Sequence, residues 1–138
     1  MIAYVDSSVI LRVLLGQPGS LAEWGKLRRG VTSALAEVEC LRTLDRLRIA
    51  EGVAEAEIAE RRQAVYQIME ALEVVEPSRI VLSRAAQPLP TTLGTLDAIH
   101  LATAQLWREY SGEPLVMATH DIALATASRS VGMAVIGC

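Results

Sequence analysis

The chain has 138 residues, of which 51% are hydrophobic, so it is long and apolar enough to form one domain with a full core. Its formal net charge of −3 argues against a broadly basic surface for nucleic acid, and no run approaches the about 20 apolar residues of a membrane span. The two cysteines, Cys40 and Cys138, predict neither a disulfide nor a zinc site, so we expect a cytoplasmic protein.

Short apolar runs alternate along the chain with longer segments of helical period. Strands are predicted at Ile2–Val5, Val31–Ser33, Leu72–Val75, Leu115–Ala118 and Met133–Ile136. Helices are predicted at Ser8–Leu15, Ser20–Arg28, Ala34–Ala50, Ala54–Ala71, Ser78–Ala86, Leu96–Tyr110 and Ile122–Ser130. This alternation is typical of an α/β fold, in which crossover helices cover both faces of a mainly parallel sheet.

Three of the four aspartates fall where a predicted strand ends or a predicted helix begins. Asp6 follows the first strand, Asp121 follows the fourth, and Asp97 lies in the first turn of a helix, whereas Asp45 lies on a charged helix face. Open parallel sheets bind their ligands outside the carboxyl ends of the strands, near the point where strand order reverses. We therefore expect the first three side chains to reach one site.

Each of these aspartates also has an alternative explanation as a helix cap. Asp is a favoured N-cap residue, and a carboxylate in the first turn is stabilised by the helix dipole. Ser or Thr caps equally well, however, and hydroxyl residues lie beside each position: Ser7, Ser8, Thr95 and Thr119. The use of a carboxylate at all three positions favours a shared acidic site.

A cluster of carboxylates has a definite chemistry. Like charges raise one another's pKa unless a positive group lies between them, and the usual compensating group is a divalent cation. Mg²⁺ prefers hard oxygen ligands and retains part of its water shell. Because such ions activate water and stabilise the transition state of phosphodiester cleavage, the aspartates predict metal-assisted phosphoryl chemistry.

Four segments carry a resemblance to a known family: "YVDSSVILRVLLG", "TSALAEVECLRTL", "LGTLDAIHLATA" and "MATHDIALATASRSVGMAVI". In this order they resemble the signature blocks of PIN-domain ribonucleases, and most of all the VapC toxins of bacterial toxin–antitoxin pairs. The resemblance implies a single PIN domain over residues 1–138, with a five-stranded, mainly parallel sheet between helices. It also implies acidic residues that coordinate Mg²⁺ or Mn²⁺ for endonucleolytic cleavage of RNA by a metal-activated water.

The family's acidic positions fall on residues of this chain. Asp6 matches the acid of the first block, Asp97 that of the third and Asp121 that of the fourth, while Thr119 matches the hydroxyl two residues before the last acid. The resemblance implies that these residues are catalytic and that the acids are metal ligands. It further implies an antitoxin protein as partner and a homodimer.

The acid of the second block is either Glu37 or Glu39. Residues two apart on a helix point about 200° apart, so only one of them can face the site. Both lie at the edge of the apolar stripe, and periodicity leaves the choice open. The family's spacing from Ser33 favours Glu39 as the fourth metal ligand.

Other functions fit the residues less well. A HAD-type aspartyl-phosphate phosphatase needs a second Asp two residues after the first, where this chain has Ser8, and a receiver domain needs a lysine near the last strand, whereas the only lysine is Lys26. A non-catalytic PIN-like binding module is expected to have lost an acid, and all four positions are acidic here.

Three further side chains near these positions have simpler explanations than catalysis. His100, three residues after Asp97, is predicted to be packed and hydrogen-bonded rather than a general base. Arg12 and Arg42 are predicted to form surface salt bridges, with contacts to RNA phosphate or to a partner protein as the alternative.

Overall fold

Five parallel strands form one sheet in the order β3-β2-β1-β4-β5, which confirms the predicted fold class. The computed structural model describes all residues from Met1 to Cys138. The strands are β1 Ile2–Val5, β2 Arg29–Ser33, β3 Glu73–Val75, β4 Val116–Ala118 and β5 Val135–Ile136. The helices are α1 Ser7–Leu14, α2 Ala34–Glu51, α3 Glu55–Ala71, α4 Arg79–Ala85, α5 Thr95–Ser111 and α6 Ile122–Ser130.

The central strand β1 is buried along its whole length, because helices cover both faces of the sheet. Alternate residues of a strand point to opposite faces. Ile2 and Tyr4 accordingly join the core cluster formed with α5 and α6, while Ala3 and Val5 join the cluster formed with α1, α2 and α3. No helix is long and apolar enough to cross a membrane.

Strand order reverses beside β1, and this reversal places the carboxyl ends of β1 and β4 next to each other. The chain runs from β1 outward through β2 to β3, and then returns to the other side of β1 with β4 and β5. The Asp6 N–H donates to the carbonyl of Ala118, at 3.2 Å, just where both strands end. This is the position at which open parallel sheets form their ligand sites.

One predicted helix, over Ser20–Arg28, is wrong. The segment contains only a 3₁₀ turn over Trp24–Lys26. Gly25 lies in its middle, where glycine costs a helix about 1 kcal/mol relative to alanine. The end of the segment is drawn into the sheet instead, because the Arg28 N–H donates to the carbonyl of Met1 at 2.9 Å. The other predicted elements agree with the structure to within two residues at each end.

The amino end of the sheet, opposite the aspartates, is held by a cluster around Glu73 on the edge strand β3. Glu73 accepts a hydrogen bond from the indole N–H of Trp107 at 3.0 Å and pairs with Arg29 at 3.0 Å. Arg29 also pairs with Glu113 at 3.2 Å, and its guanidinium lies 5.3 Å from the centre of the Trp107 ring. The Trp107 hydrogen bond, and then the Arg29 pair, lower the pKa of Glu73.

We expect Glu73→Gln to lower the free energy of unfolding by at most about 1 kcal/mol at pH 7, because this ion pair is solvent-exposed. A lowered carboxyl pKa contributes stability above the unfolded pKa and loses it as pH falls through the folded value. The difference between Glu73→Gln and the wild type should therefore shrink between about pH 5 and pH 3. Urea denaturation at several pH values measures it.

Glu76→Gln is the matched control, because Glu76 is exposed and its side chain makes no ion pair or hydrogen bond. It should leave stability unchanged across the same range. If Glu73→Gln behaved like Glu76→Gln at pH 7, the cluster would contribute nothing to stability.

Candidate metal centre

Asp6 lies at the end of β1 with only 3% of its surface exposed, and its carboxylate joins three parts of the chain. Oδ1 accepts hydrogen bonds from the hydroxyl of Ser8 at 2.6 Å and from the N–H of Val9 at 3.2 Å, so Asp6 is the N-cap of α1. Oδ2 accepts a hydrogen bond from the hydroxyl of Thr119 at 2.6 Å. Burial nevertheless raises the pKa of Asp6, because these hydrogen bonds only partly offset the loss of water.

Thr119 connects Asp6 to Asp121 at the end of β4. Its buried hydroxyl donates to Asp6 and accepts a hydrogen bond from the N–H of Asp121 at 3.0 Å. Asp121 is the N-cap of α6, since its Oδ1 accepts from the N–H of Leu124 at 2.8 Å. The capping explanation and the shared position at the sheet edge therefore both apply to Asp6 and Asp121.

Asp97 lies in the first turn of α5, and its carboxylate accepts no hydrogen bond from the protein. Partial burial raises the pKa of its carboxyl, and so do the negative charges of Asp121, Asp6 and Glu39, while His100 acts in the opposite direction. Asp97 is thus close enough to the other three candidate acids to feel their charges. Their repulsion marks this edge of the sheet as a place where a positive charge is favourable.

Glu39 is the second-block acid that faces this cluster. Its Oε1 is hydrogen-bonded to Nε2 of His100 across the gap between α2 and α5, and it acts electrostatically on Asp97. Glu37, by contrast, makes no hydrogen bond or ion pair. His100 is buried and hydrogen-bonded, as predicted. The role of Glu39 as a metal ligand stays a prediction.

The donor set fits a hard divalent cation in its chemistry. Every candidate ligand is a carboxylate, and the Asp97 oxygens, Asp121 Oδ2 and Glu39 Oε2 have no hydrogen-bond partner in the protein. The side chains do not stand in a finished coordination shell, because no group of three acids or histidines lies close enough to hold an ion. The carboxylates therefore lie at the same edge of the sheet, but they are not close enough to one another to form a coordination shell as they stand.

A groove of about 280 Å³ leads away from Glu39 along α2. Arg42 and Arg46 line it, one helical turn apart, together with Ser7, Val38, Thr43 and Leu96. The predicted salt bridges of Arg12 and Arg42 are wrong, since Arg12 donates to the carbonyl of Gly19 and Arg42 has no ionic partner. The two acidic side chains three residues away from Arg42 on α2 have other partners, since Glu39 is bonded to His100 and Asp45 is paired with Arg48.

Two polar residues of this region had no predicted role at the site. Ser8 donates to Asp6 and accepts the N–H of His120 at 2.9 Å, so it fixes the loop before Asp121. Tyr4, within the buried strand β1, places its hydroxyl 2.7 Å from Nδ1 of His100. A signal for Tyr4 existed, because the hydroxyl of a tyrosine buried in an apolar strand must find a partner.

Comparison with known proteins identifies the family of this chain. The family model of the PIN domain matches residues 3–128. Ribonuclease VapC46 of Mycobacterium tuberculosis is 36% identical over 136 residues, covering 96% of this chain and 95% of the relative. Ribonuclease VapC35 of the same species is 32% identical over 139 residues, covering 96% and 94%.

Two solved structures share the fold. A toxin–antitoxin complex from Klebsiella pneumoniae matches with a TM-score of 0.70 at 17% identity, covering 99% of this chain and 98% of the other. VapBC2 from Rickettsia felis, solved with a DNA fragment from its promoter, matches with a TM-score of 0.69 at 11% identity, covering 98% and 97%. The chain belongs to the PIN-domain family, with VapC ribonucleases as its relatives.

Proposed function

We propose that this chain is a metal-dependent endoribonuclease and the toxin of a toxin–antitoxin pair. Its relatives VapC46 and VapC35 are ribonucleases by name and align with nearly its whole length. The observation that carries the proposal is the position of four carboxylates at the carboxyl edge of the sheet, where the repulsion of the other three adds to partial burial in raising the pKa of Asp97. This repulsion destabilises the free protein and is relieved when a divalent cation lies among the carboxylates.

The cation we propose is Mg²⁺ or Mn²⁺, with Asp6, Glu39, Asp97 and Asp121 as its ligands. When bound, such an ion lowers the pKa of a coordinated water and offsets the negative charge that develops on the phosphate during hydrolysis. Thr119 holds Asp6 and the backbone of Asp121 at a fixed separation. The protein itself supplies no covalent intermediate, because water attacks phosphorus in line with the P–O bond that breaks.

The groove along α2 is the proposed path of the RNA strand. Arg42 and Arg46 line it beside Glu39, and guanidinium groups bind phosphate oxygens in a two-pronged geometry that lysine lacks. Neither arginine forms an ion pair, so both guanidinium groups are able to contact the strand. A locally basic groove is compatible with a net charge of −3, because phosphate contacts depend on nearby charges.

An antitoxin protein is the proposed partner, and structural neighbours of this chain were solved as toxin–antitoxin complexes. We further propose a cytoplasmic homodimer, in keeping with the resemblance to VapC toxins. The alternative function is a non-catalytic PIN-like binding module. It is favoured by one observation, namely that Asp6 and Asp121 already serve as helix caps.

Asp97→Asn should abolish RNA cleavage with Mg²⁺ or Mn²⁺, and chelation with EDTA should abolish it in the wild type. The same substitution should raise the melting temperature of the metal-free protein at pH 7. The folded pKa of Asp97 is raised, so its ionised form costs stability above the unfolded pKa, and Asn removes this cost. The gain should vanish near pH 3, where the carboxyl is protonated. Cleavage of a labelled RNA and thermal melts measure both effects.

Asp45→Asn is the control, because Asp45 is exposed on α2 and paired with Arg48 outside the cluster. It should cut RNA like the wild type. Undiminished cleavage by Asp97→Asn would overturn the proposed role of the acids, and failure of the wild type to cut any RNA with metal would favour the binding module.

Replacing Arg42 and Arg46 together by alanine should raise KM for RNA about tenfold and leave kcat nearly unchanged, because phosphate contacts position the strand without taking part in the chemistry. The slope of log affinity against log salt concentration should also fall by about 1.4, since two contacts to single-stranded RNA are lost. Initial rates at several salt concentrations measure both quantities.

The double variant Arg48→Ala/Arg61→Ala changes the net charge equally but removes arginines paired with Asp45 and Glu57. It should match the wild type in KM. An equal rise in KM for both double variants would mean that overall charge, and no defined groove, attracts the RNA.

A further inference from the structure

A buried hydrogen-bonded chain links the hydroxyl of Tyr4 to the carboxylate of Glu39 through His100. The Tyr4 hydroxyl lies 2.7 Å from Nδ1 of His100, and Nε2 of the same ring is bonded to Oε1 of Glu39. Tyr4 and His100 are almost completely buried, with 0% and 1% of their surface exposed. Their rings meet edge to face, with centroids 5.8 Å apart. The imidazole is therefore held by packing as well as by hydrogen bonds.

The chemistry of the partners sets the direction of this chain. A carboxylate only accepts hydrogen bonds, so Nε2 carries a proton and donates a hydrogen bond to Glu39. The Tyr4 hydroxyl, which is able either to donate or to accept, forms the second hydrogen bond of the ring at Nδ1. Tyr4 thus fixes the orientation of the imidazole that binds Glu39.

We propose that Tyr4 and His100 are positioning residues that hold Glu39 in the acidic cluster, an inference that rests on the proposed function. Glu39 follows the exposed residue Val38 on α2, and its side chain is 22% exposed, so it is able to swing into solvent. Fixing a glutamate side chain costs rotamer entropy. The hydrogen bond to His100 occupies Oε1 and leaves Oε2 for a cation. The Glu39 side chain is therefore already ordered before the cation binds.

The position of the chain in the fold supports this role. Tyr4 lies on β1, two residues before Asp6. His100 lies on α5, three residues after Asp97, and this spacing places the two side chains on the same face of the helix. Glu39 is on α2. The hydrogen bonds therefore connect the three elements that carry three of the four candidate ligands, and they fix the separation of these elements from inside the core.

The experiment compares three variants in their affinity for Mn²⁺, measured on metal-free protein from the EPR signal of free Mn²⁺, and in kcat and KM for RNA. Tyr4→Phe removes only the hydroxyl and should weaken Mn²⁺ binding about tenfold, as outer-sphere partners of metal ligands typically do. His100→Asn lacks a donor at the position of Nε2 and should weaken it at least as much. His100→Gln places an amide N–H near that position and should restore affinity to within about threefold of the wild type.

Tyr66→Phe is the matched control, because the Tyr66 hydroxyl only accepts a hydrogen bond from Arg62 on the exposed face of α3. It should bind Mn²⁺ like the wild type. In the positioning variants kcat should fall while KM for RNA is retained, since neither Tyr4 nor His100 lines the groove. Thermal melts identify any variant that does not fold, and Tyr4→Phe, which keeps the shape of the side chain, then carries the test.

The inference is overturned if folded Tyr4→Phe and His100→Asn bind Mn²⁺ as tightly as the wild type. It is also overturned if His100→Gln is as weak as His100→Asn, because the hydrogen bond to Glu39 would then not be the cause. A wild-type protein that binds no Mn²⁺ refutes the proposed function itself and this inference with it. Tight binding by the wild type together with unaltered variants refutes the positioning role alone.

Discussion

Repulsion among carboxylates at one edge of the sheet is the interaction on which the organisation of this protein depends. Partial burial raises the pKa of Asp97, and the charges of Asp121, Asp6 and Glu39 raise it further. Three of the four carboxylates are nevertheless held in place, two as helix caps and one by a histidine, so the molecule keeps the acids together at a cost in stability. Sites that are destabilised in the free protein are characteristic of functional centres.

The two ends of the sheet differ in how their charges are arranged. At the amino end, Glu73, Arg29 and Trp107 join opposite charges and an aromatic ring, which lowers the pKa of Glu73. At the carboxyl end like charges gather; burial raises the pKa values of Asp6 and Asp97, and at Asp97 the neighbouring carboxylates add to this effect. Because strand order reverses beside β1, the carboxyl ends of β1 and β4 lie side by side, and the acidic residues that follow these strands lie near each other.

Local sequence predicted most of the fold because strand and helix periods are strong signals in an α/β chain. The prediction of a helix over Ser20–Arg28 was wrong for two reasons. Leu21, Trp24 and Leu27 recur every three residues, a spacing that also suits a 3₁₀ turn. The N–H of Arg28 also donates to the carbonyl of Met1, which is distant in the sequence. The placement of Asp6 and Asp121 followed from strand ends, and that of Asp97 from the start of a helix.

The choice between Glu37 and Glu39 and the partner of Tyr4 were beyond periodicity. Both depend on His100, which lies 61 residues from Glu39 and 96 from Tyr4 in the sequence. The most direct test of the account is the anomalous difference map of a crystal grown with Mn²⁺. The account predicts a peak at the carboxyl edge of the sheet, bounded by oxygens of Glu39, Asp97 and Asp121. An ordered cluster with no peak among these carboxylates at saturating Mn²⁺ would contradict it.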